Sequence, residues 1–346
     1  MMNQYLKYAT LVLTLILCLN LFAGCTDSAS DPSTNQSTNS AVAPTDSTTE
    51  PTNPTTHPTE SLYRPEGVSY EELLVPEEYK QKCEHKGSIK TMTYEVTSVI
   101  DPSVTAKKTA CVYLPYGYDE SKQYNVLYLV HGAGGSETEW LTSEHCKEVI
   151  DNLIYQNVIE PLIIVTPTFY YPDGFCSEAD GQQDYSFEQF ANELRHALLP
   201  AVETKYSTYA GGDVSDANLV ATRDHRSLAG LSMGSKHTLE SGLMTNLDLF
   251  AWYGSFSGVF TPEAADISAA LHSEAFAQYP IHYLFVANGT IDYSYEGHIK
   301  TMLELEALDS TLEDGVNFSI HVFEGGGHNF KNWEMALYRF LPHIFQ

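Results

Sequence analysis

Ser227-Leu228-Ala229-Gly230-Leu231-Ser232-Met233-Gly234-Ser235 decides how the rest of this chain is read. Three residues of strand character run into a glycine-flanked serine, and residues 233–244 behind it carry helical character. A serine hydroxyl is a poor nucleophile unless it is exposed, aimed and relieved of its proton. A sharp strand-to-helix turn supplies the exposure and the aim. Such a turn crowds the backbone, so it needs small residues two before and two after the serine, where Gly230 and Gly234 stand. The helix that follows adds its positive N-terminal dipole. By itself the five-residue pattern is weak; between a strand and a helix it predicts a nucleophile.

The surroundings supply partners for it. Residues 125–130 form a short, nearly continuous apolar run, as expected of a strand buried on both faces. His131-Gly132-Ala133-Gly134-Gly135 follows directly. A tetrahedral intermediate carries an oxyanion that needs backbone N–H groups pointed at it, and a glycine-rich loop can turn them inward. The expected donors are Met233 and either Ala133 or Gly134. The run lacks the spacing of dinucleotide- and phosphate-binding loops.

Further along, residues 318–323 read as a strand that ends in Gly325-Gly326-Gly327-His328. With 13 histidines in the chain, an arbitrary one is a poor candidate base. His328 stands apart because it follows the last strand and lies among glycines. The acid should follow the preceding strand, read at residues 281–287, which makes Asp292 the choice over Asp309, Asp314 and Glu296. The chain order serine, acid, histidine is that of α/β-hydrolases.

Other predicted strands fall at 89–99, 108–114, 162–165 and 249–253, and helices at 186–206 and 298–308. Alternating strands and helices predict an α/β fold: a mostly parallel central sheet with helices on both faces. The stretch 169–185 reads as a loop. Trp140, Phe169, Tyr170, Tyr171, Tyr293 and Trp333 lie near loops that should flank Ser232. They are candidate substrate contacts, since aromatic rings stack on arenes and sugars.

Several of these segments carry a resemblance. Residues 112–115 (VYLP), 127–140 (LYLVHGAGGSETEW), 230–235 (GLSMGS), 289–292 (GTID) and 325–333 (GGGHNFKNW) resemble the esterase D superfamily. They look most like its bacterial feruloyl and acetylxylan esterases, in carbohydrate esterase family one. The likeness runs from about Gly87 to the C-terminus. It implies an α/β-hydrolase fold, the triad Ser232, Asp292 and His328, no cofactor and no metal. It also implies ester side groups of plant cell-wall xylan as substrate, with feruloyl esters ahead of acetyl esters. Residues 169–185 do not map onto the family. The competing expectation is a carbohydrate-binding homologue without catalysis, against which the complete set of three residues argues.

Composition narrows the setting. The chain has 346 residues, and 18 Lys and Arg against 45 Asp and Glu leave a formal charge of −27. Such acidity repels phosphate backbones and excludes nucleic acid as an expected partner. Lys7, the apolar run 9–21 and the small residues before Cys25 resemble a lipoprotein signal over 1–24, with Cys25 as the lipid-bearing residue. Residues 25–62 are nearly all Ser, Thr, Pro, Asn, Asp and Ala, too poor in large apolar groups to fold, and are expected to tether an esterase domain spanning 63–346. The expected location is extracytoplasmic, as a lipoprotein on the bacterial cell surface, with secretion as the alternative. Cys83, Cys111, Cys146 and Cys176 remain for the folded part, and spacing leaves their pairing open.

Overall fold

In a computed structural model, the structure describes residues 62–63, 69–176 and 185–346. The predicted signal, the lipid site Cys25 and all of the predicted linker but Leu62 lie outside the described residues. So do residues 177–184 of the loop that the family resemblance did not cover. Leu62, expected to close the linker, instead pairs in a strand.

Nine strands form one sheet. They are β1 (Leu62–Tyr63), β2 (Ser88–Thr97), β3 (Thr105–Leu114), β4 (Val126–Val130), β5 (Ile163–Pro167), β6 (Arg226–Leu231), β7 (Trp252–Phe256), β8 (Tyr283–Gly289) and β9 (Phe318–Phe323). Their spatial order is β1-β9-β8-β7-β6-β4-β5-β3-β2. All pairings from β5 through β4 and β6 to β1 are parallel; β3 runs antiparallel to both β5 and β2. Parallel neighbours need crossovers, and these carry the helices.

The two faces of β4 show why its sequence is apolar throughout. Val126, Tyr128 and Val130 enter one core cluster, while Leu127 and Leu129 enter the other. Helical segments Phe187–Glu193, Leu199–Lys205, Ala264–Leu271 and Tyr295–Leu308 cover the first face; Cys146–Tyr155 and Phe330–Phe340 cover the second. A strand with helices on both sides has no wet face to mark with polar residues.

Two predicted elements moved. The strand expected at 249–253 forms at Trp252–Phe256. Leu249, Phe250 and Ala251 are buried ahead of it, so burial and pairing do not coincide there. The carbonyl of Phe250 is used by Arg223 and by the Tyr253 hydroxyl instead of by a neighbouring strand. The strand expected at 281–287 forms two residues later, at Tyr283–Gly289. The helix expected at 186–206 is interrupted by a wide π-turn, Leu194–Leu198, just before Pro200. Proline lacks the N–H that an α-turn requires and collides with the carbonyl four residues back, so the widened turn accommodates it.

Cys83, Cys111 and Cys146 are free thiols, and Cys111, Cys146 and Cys176 are buried. No described helix is long and apolar enough to cross a membrane.

Buried charge is present but matched. Arg226, at the start of β6, is 1% exposed and donates Nε to Glu203, Nη2 to Glu203 Oε2 at 3.1 Å and to Thr222 Oγ1 at 2.7 Å. Lys108 meets Glu193 at 2.6 Å, and Glu193 also accepts from the Tyr94 and Tyr171 hydroxyls. A buried pair adds little over an apolar one, but orphaning one member is costly. Glu203→Ala, which leaves the Arg226 guanidinium buried without its carboxylate, should destabilise the fold by about 3–5 kcal/mol in urea unfolding.

Candidate active site

Ser232 sits between β6 and the helix Met233–His237 with φ 54° and ψ −117°. A left-handed backbone is uncommon outside glycine and is held here by its surroundings. The Ser232 N–H donates to the carbonyl of Phe256 on β7 at 2.9 Å. A side chain at Gly234 would run into the carbonyls of Val130 and His131 at the end of β4, and one at Gly230 into Gly234 itself. The two glycines let β4, β6 and the helix converge on the serine, which is the reason for the spacing read in the sequence.

Loops past the C-terminal ends of three parallel strands bring the three predicted residues together. Ser232 Oγ lies 3.0 Å from His328 Nε2. His328 Nδ1 lies 2.9 Å from both carboxylate oxygens of Asp292. A carboxylate can only accept, so His328 carries its proton on Nδ1, and Nε2 faces the serine as an acceptor. Asp292 is 5% exposed. Burial pushes its pKa up, but hydrogen bonds from His328, Ser294 and Ser257 outweigh that and hold it below the usual carboxylate range. Both the Ser294 N–H and its hydroxyl reach Asp292 Oδ1 at 2.8 Å. The competing carboxylates are elsewhere: Asp309 is held by His272, Ser268 and Thr311, and Asp314 bridges to Phe318 at the opposite end of β9.

The expected oxyanion donors separate. Met233 opens the helix behind Ser232, where first-turn N–H groups have no partner within the helix. The Gly134 N–H donates to the Tyr170 hydroxyl at 2.8 Å, so Gly134 is committed to Tyr170. Ala133, on the same loop, is exposed.

The six aromatic candidates divide as well. Tyr293 is 75% exposed, lies against the His328 ring at 4.3 Å and places its hydroxyl 3.1 Å from Nε2. Tyr170 stands beside the Gly134 loop. The other four are packing groups, which corrects the expectation that they face a ligand. Trp140 is 1% exposed and donates its indole N–H to the Val130 carbonyl. Phe169 is fully buried, stacked between His131 and His237. Tyr171 is buried on Glu193. Trp333 is buried edge-on to His328 and donates to Ser257 Oγ at 2.9 Å, so it braces the histidine. Nearness in sequence to a loop did not say which way a ring turns.

Beneath these residues lies a polar chain that the sequence did not disclose. His298 Nδ1 accepts from the Gly258 N–H at 3.1 Å and faces the Asn288 amide at 3.2 Å. Its proton therefore sits on Nε2, which meets Ser255 Oγ at 2.8 Å; Ser255 meets Ser235 Oγ at 2.6 Å. Asn288 also donates to Ser294, which holds Asp292. The chain ties the turn that carries the acid to the helix behind the nucleophile. Ser257, with φ 48°, touches both Trp333 and Asp292. It directly follows the end of β7, and the apolar run at 249–253 gives no signal for it because the strand forms three residues later.

Burial pushes His298 and His131 down to about 4. Among the described residues, no cluster of three or more His, Cys, Asp or Glu could hold a metal ion.

The chain matches the family model described as "Putative esterase" over residues 102–344. It is 31% identical over 282 residues to endo-1,4-beta-xylanase Y of Acetivibrio thermocellus, covering 78% of this chain and 24% of that one. It is 28% identical over 276 residues to an endo-1,4-beta-xylanase/feruloyl esterase of Xylanibacter ruminicola, covering 78% of this chain and 32% of that one. The chain thus spans a quarter to a third of the length of these relatives. Among solved structures, it superposes with TM-score 0.68 and 28% identity on a serine-to-alanine mutant of the feruloyl esterase module from Clostridium thermocellum, complexed with sinapinate. That match covers 79% of this chain and 93% of the module. A ferulic acid esterase from Anaeromyces mucronatus, 22% identical with TM-score 0.61 over 79% of this chain and 97% of that one, shares the fold.

Histidines buried as neutral groups make stability fall with acid. The unfolded chain takes up their protons near pH 6.5, whereas the folded one resists until about pH 4. This contribution is complete above pH 6.5 and is lost as pH falls toward 4. The thermal midpoint should be level between pH 7 and 8 and drop steadily below about 6.5 in a calorimetric pH series.

Proposed function

Since the chain belongs to the esterase family, we propose that it is a serine carboxylesterase that removes feruloyl groups from xylan, with Ser232 as nucleophile. The observation that carries this reading is the unbroken line from Ser232 Oγ through His328 to Asp292, at 3.0 and 2.9 Å. Substrate class is supported by the 28% identity to a feruloyl esterase module over nearly its whole length, together with two xylanase-named relatives.

In the first half-reaction, His328 Nε2 takes the Ser232 proton as Oγ attacks the ester carbonyl carbon. The oxyanion is held by the N–H groups of Met233 and Ala133, ahead of the helix dipole. The C–O bond to the sugar then breaks, and His328 returns the proton to the leaving hydroxyl. Water repeats the sequence on the acyl-enzyme and frees the acid. Asp292 keeps the imidazole in its tautomer and offsets the charge it gains. Tyr293 caps the base; its hydroxyl is the group an incoming substrate must displace or join. By the same reading, Cys25 carries a lipid anchor and the linker read over residues 25–62 tethers the enzyme outside the cytoplasmic membrane.

Ser232→Ala should lower kcat on methyl ferulate by about four to six orders of magnitude with unfolding unchanged, and Asp292→Asn by about four. Full activity of Ser232→Ala would remove the mechanism. Parallel rates on methyl ferulate and acetylated xylan assign the acyl group: preference for acetate would transfer the substrate to the acetylxylan class and leave the nucleophile in place.

A further inference from the structure

Along the helix that starts behind Ser232 lies a cleft that the ester chemistry does not use. Its volume is about 590 Å³, within the range of roughly 300–1,000 Å³ typical of ligand sites. One wall is the helix that starts behind Ser232, through Lys236 and Glu240; the other is the segment after β7, through Phe260 and Thr261. Phe187 closes one side. Both long walls are continuations of elements that hold the triad. Lys236 is one helical turn past Ser232, about 6 Å along the axis, and Phe260 is three residues past Ser257.

Phe260 is 75% exposed, on a backbone with φ 47°. A bulky residue in that region is strained, so the loop presents the ring outward at a cost. Lys236 lies 5.9 Å from the Phe260 ring and 5.0 Å from that of Phe187, bridging the two. A row of rings links this place to the glycine-rich loop after β4: Phe187 meets Tyr185, Tyr185 meets Tyr170, and Tyr170 holds Gly134. Thr261 also lines the cleft, and its Oγ1 is buried with no hydrogen-bond partner among the described residues.

Charge selects the occupant. Glu188, Glu240, Glu263 and Asp266 line the cleft against one ammonium, Lys236, which is already 3.2 Å from Glu240. An aromatic acid would be repelled. A neutral polyol would not: its hydroxyls donate to the carboxylates, and the C–H face of a sugar ring packs on an exposed phenyl.

We propose that this cleft is a glycan subsite that binds the sugar chain bearing the ester, with Phe260 as its stacking platform. The inference rests on the polysaccharide-esterase reading above. It makes the enzyme selective for esters on a chain over free esters.

The test uses the full chain and a Phe260→Asn variant, chosen because asparagine accepts the left-handed backbone. For feruloylated xylo-oligosaccharide relative to methyl ferulate, the ratio of kcat/KM should fall by roughly 3- to 10-fold, mainly through KM, and Phe260→Tyr should restore it. An unchanged ratio, including equal losses on both esters, would overturn the proposal; equal losses would assign the ring to the acyl group. Independently of turnover, Ser232→Ala should bind unesterified xylo-oligosaccharide in calorimetric titration, and Ser232→Ala with Phe260→Asn should bind it at least threefold more weakly. Equal binding, or none to either protein, would overturn the subsite. A Phe260-dependent dimer in sedimentation would overturn it in favour of a second copy of the chain. If the wild type cleaves neither ester, the esterase reading fails, and the titration still decides the cleft.

Discussion

The left-handed backbone at Ser232 is the constraint that the other parts of the structure serve. A residue with φ 54° would relax if its neighbours allowed it. They do not, because its N–H is fixed to Phe256 on β7 and the glycines on either side bring β4 and the helix close enough to wedge it. That wedge needs strands β4, β6 and β7 side by side and parallel, their C-terminal ends level. The sheet order provides this, and the helices on both faces keep it dry.

The same parallel arrangement explains how three residues far apart in sequence meet within 3 Å. Ser232, Asp292 and His328 each follow the end of a strand, β6, β8 and β9, and neighbouring parallel strands deliver their loops to one edge. Asp292 and His328 are then locked by groups outside the three-residue line. Ser294 and Ser257 hold the carboxylate, Trp333 stands edge-on to the imidazole, and His298 links the acid's turn to the nucleophile's helix. A site braced in this way keeps its geometry when it is empty, so less has to be organised when substrate arrives.

Electrostatics divide the molecule into two regimes. Inside, every pair counts: Arg226 with Glu203 and Lys108 with Glu193 are matched ions in the core, and the deep histidines stay neutral because burial disfavours their charge. Outside, the excess of carboxylates repels anions and leaves neutral, hydroxyl-rich molecules as compatible partners. The cleft beside Phe260 belongs to this second regime while sharing its walls with the first.

The serine, the glycines around it, the loop after β4, the acid and the final histidine were all legible in the sequence. Each is a local requirement: small residues where backbones crowd, and polar residues placed just past apolar runs. The fold class was legible for the same reason, since strands buried on both faces carry no polar alternation. What the sequence could not give were quantities that depend on distant partners. Residues 249 and 250 are as apolar as a strand, yet backbone bonding to β6 begins only at Ala251 and the paired register at Trp252, because register is set by β6 and β8. Trp140, Phe169 and Trp333 are as aromatic as any ligand contact, yet the packing of both faces turned them inward, while Tyr293 and Phe260 were left facing water. Which loop N–H remains for an oxyanion was decided by Tyr170, 36 residues from Gly134. Local chemistry picked out the serine, the acid and the histidine; long-range packing decided what surrounds them.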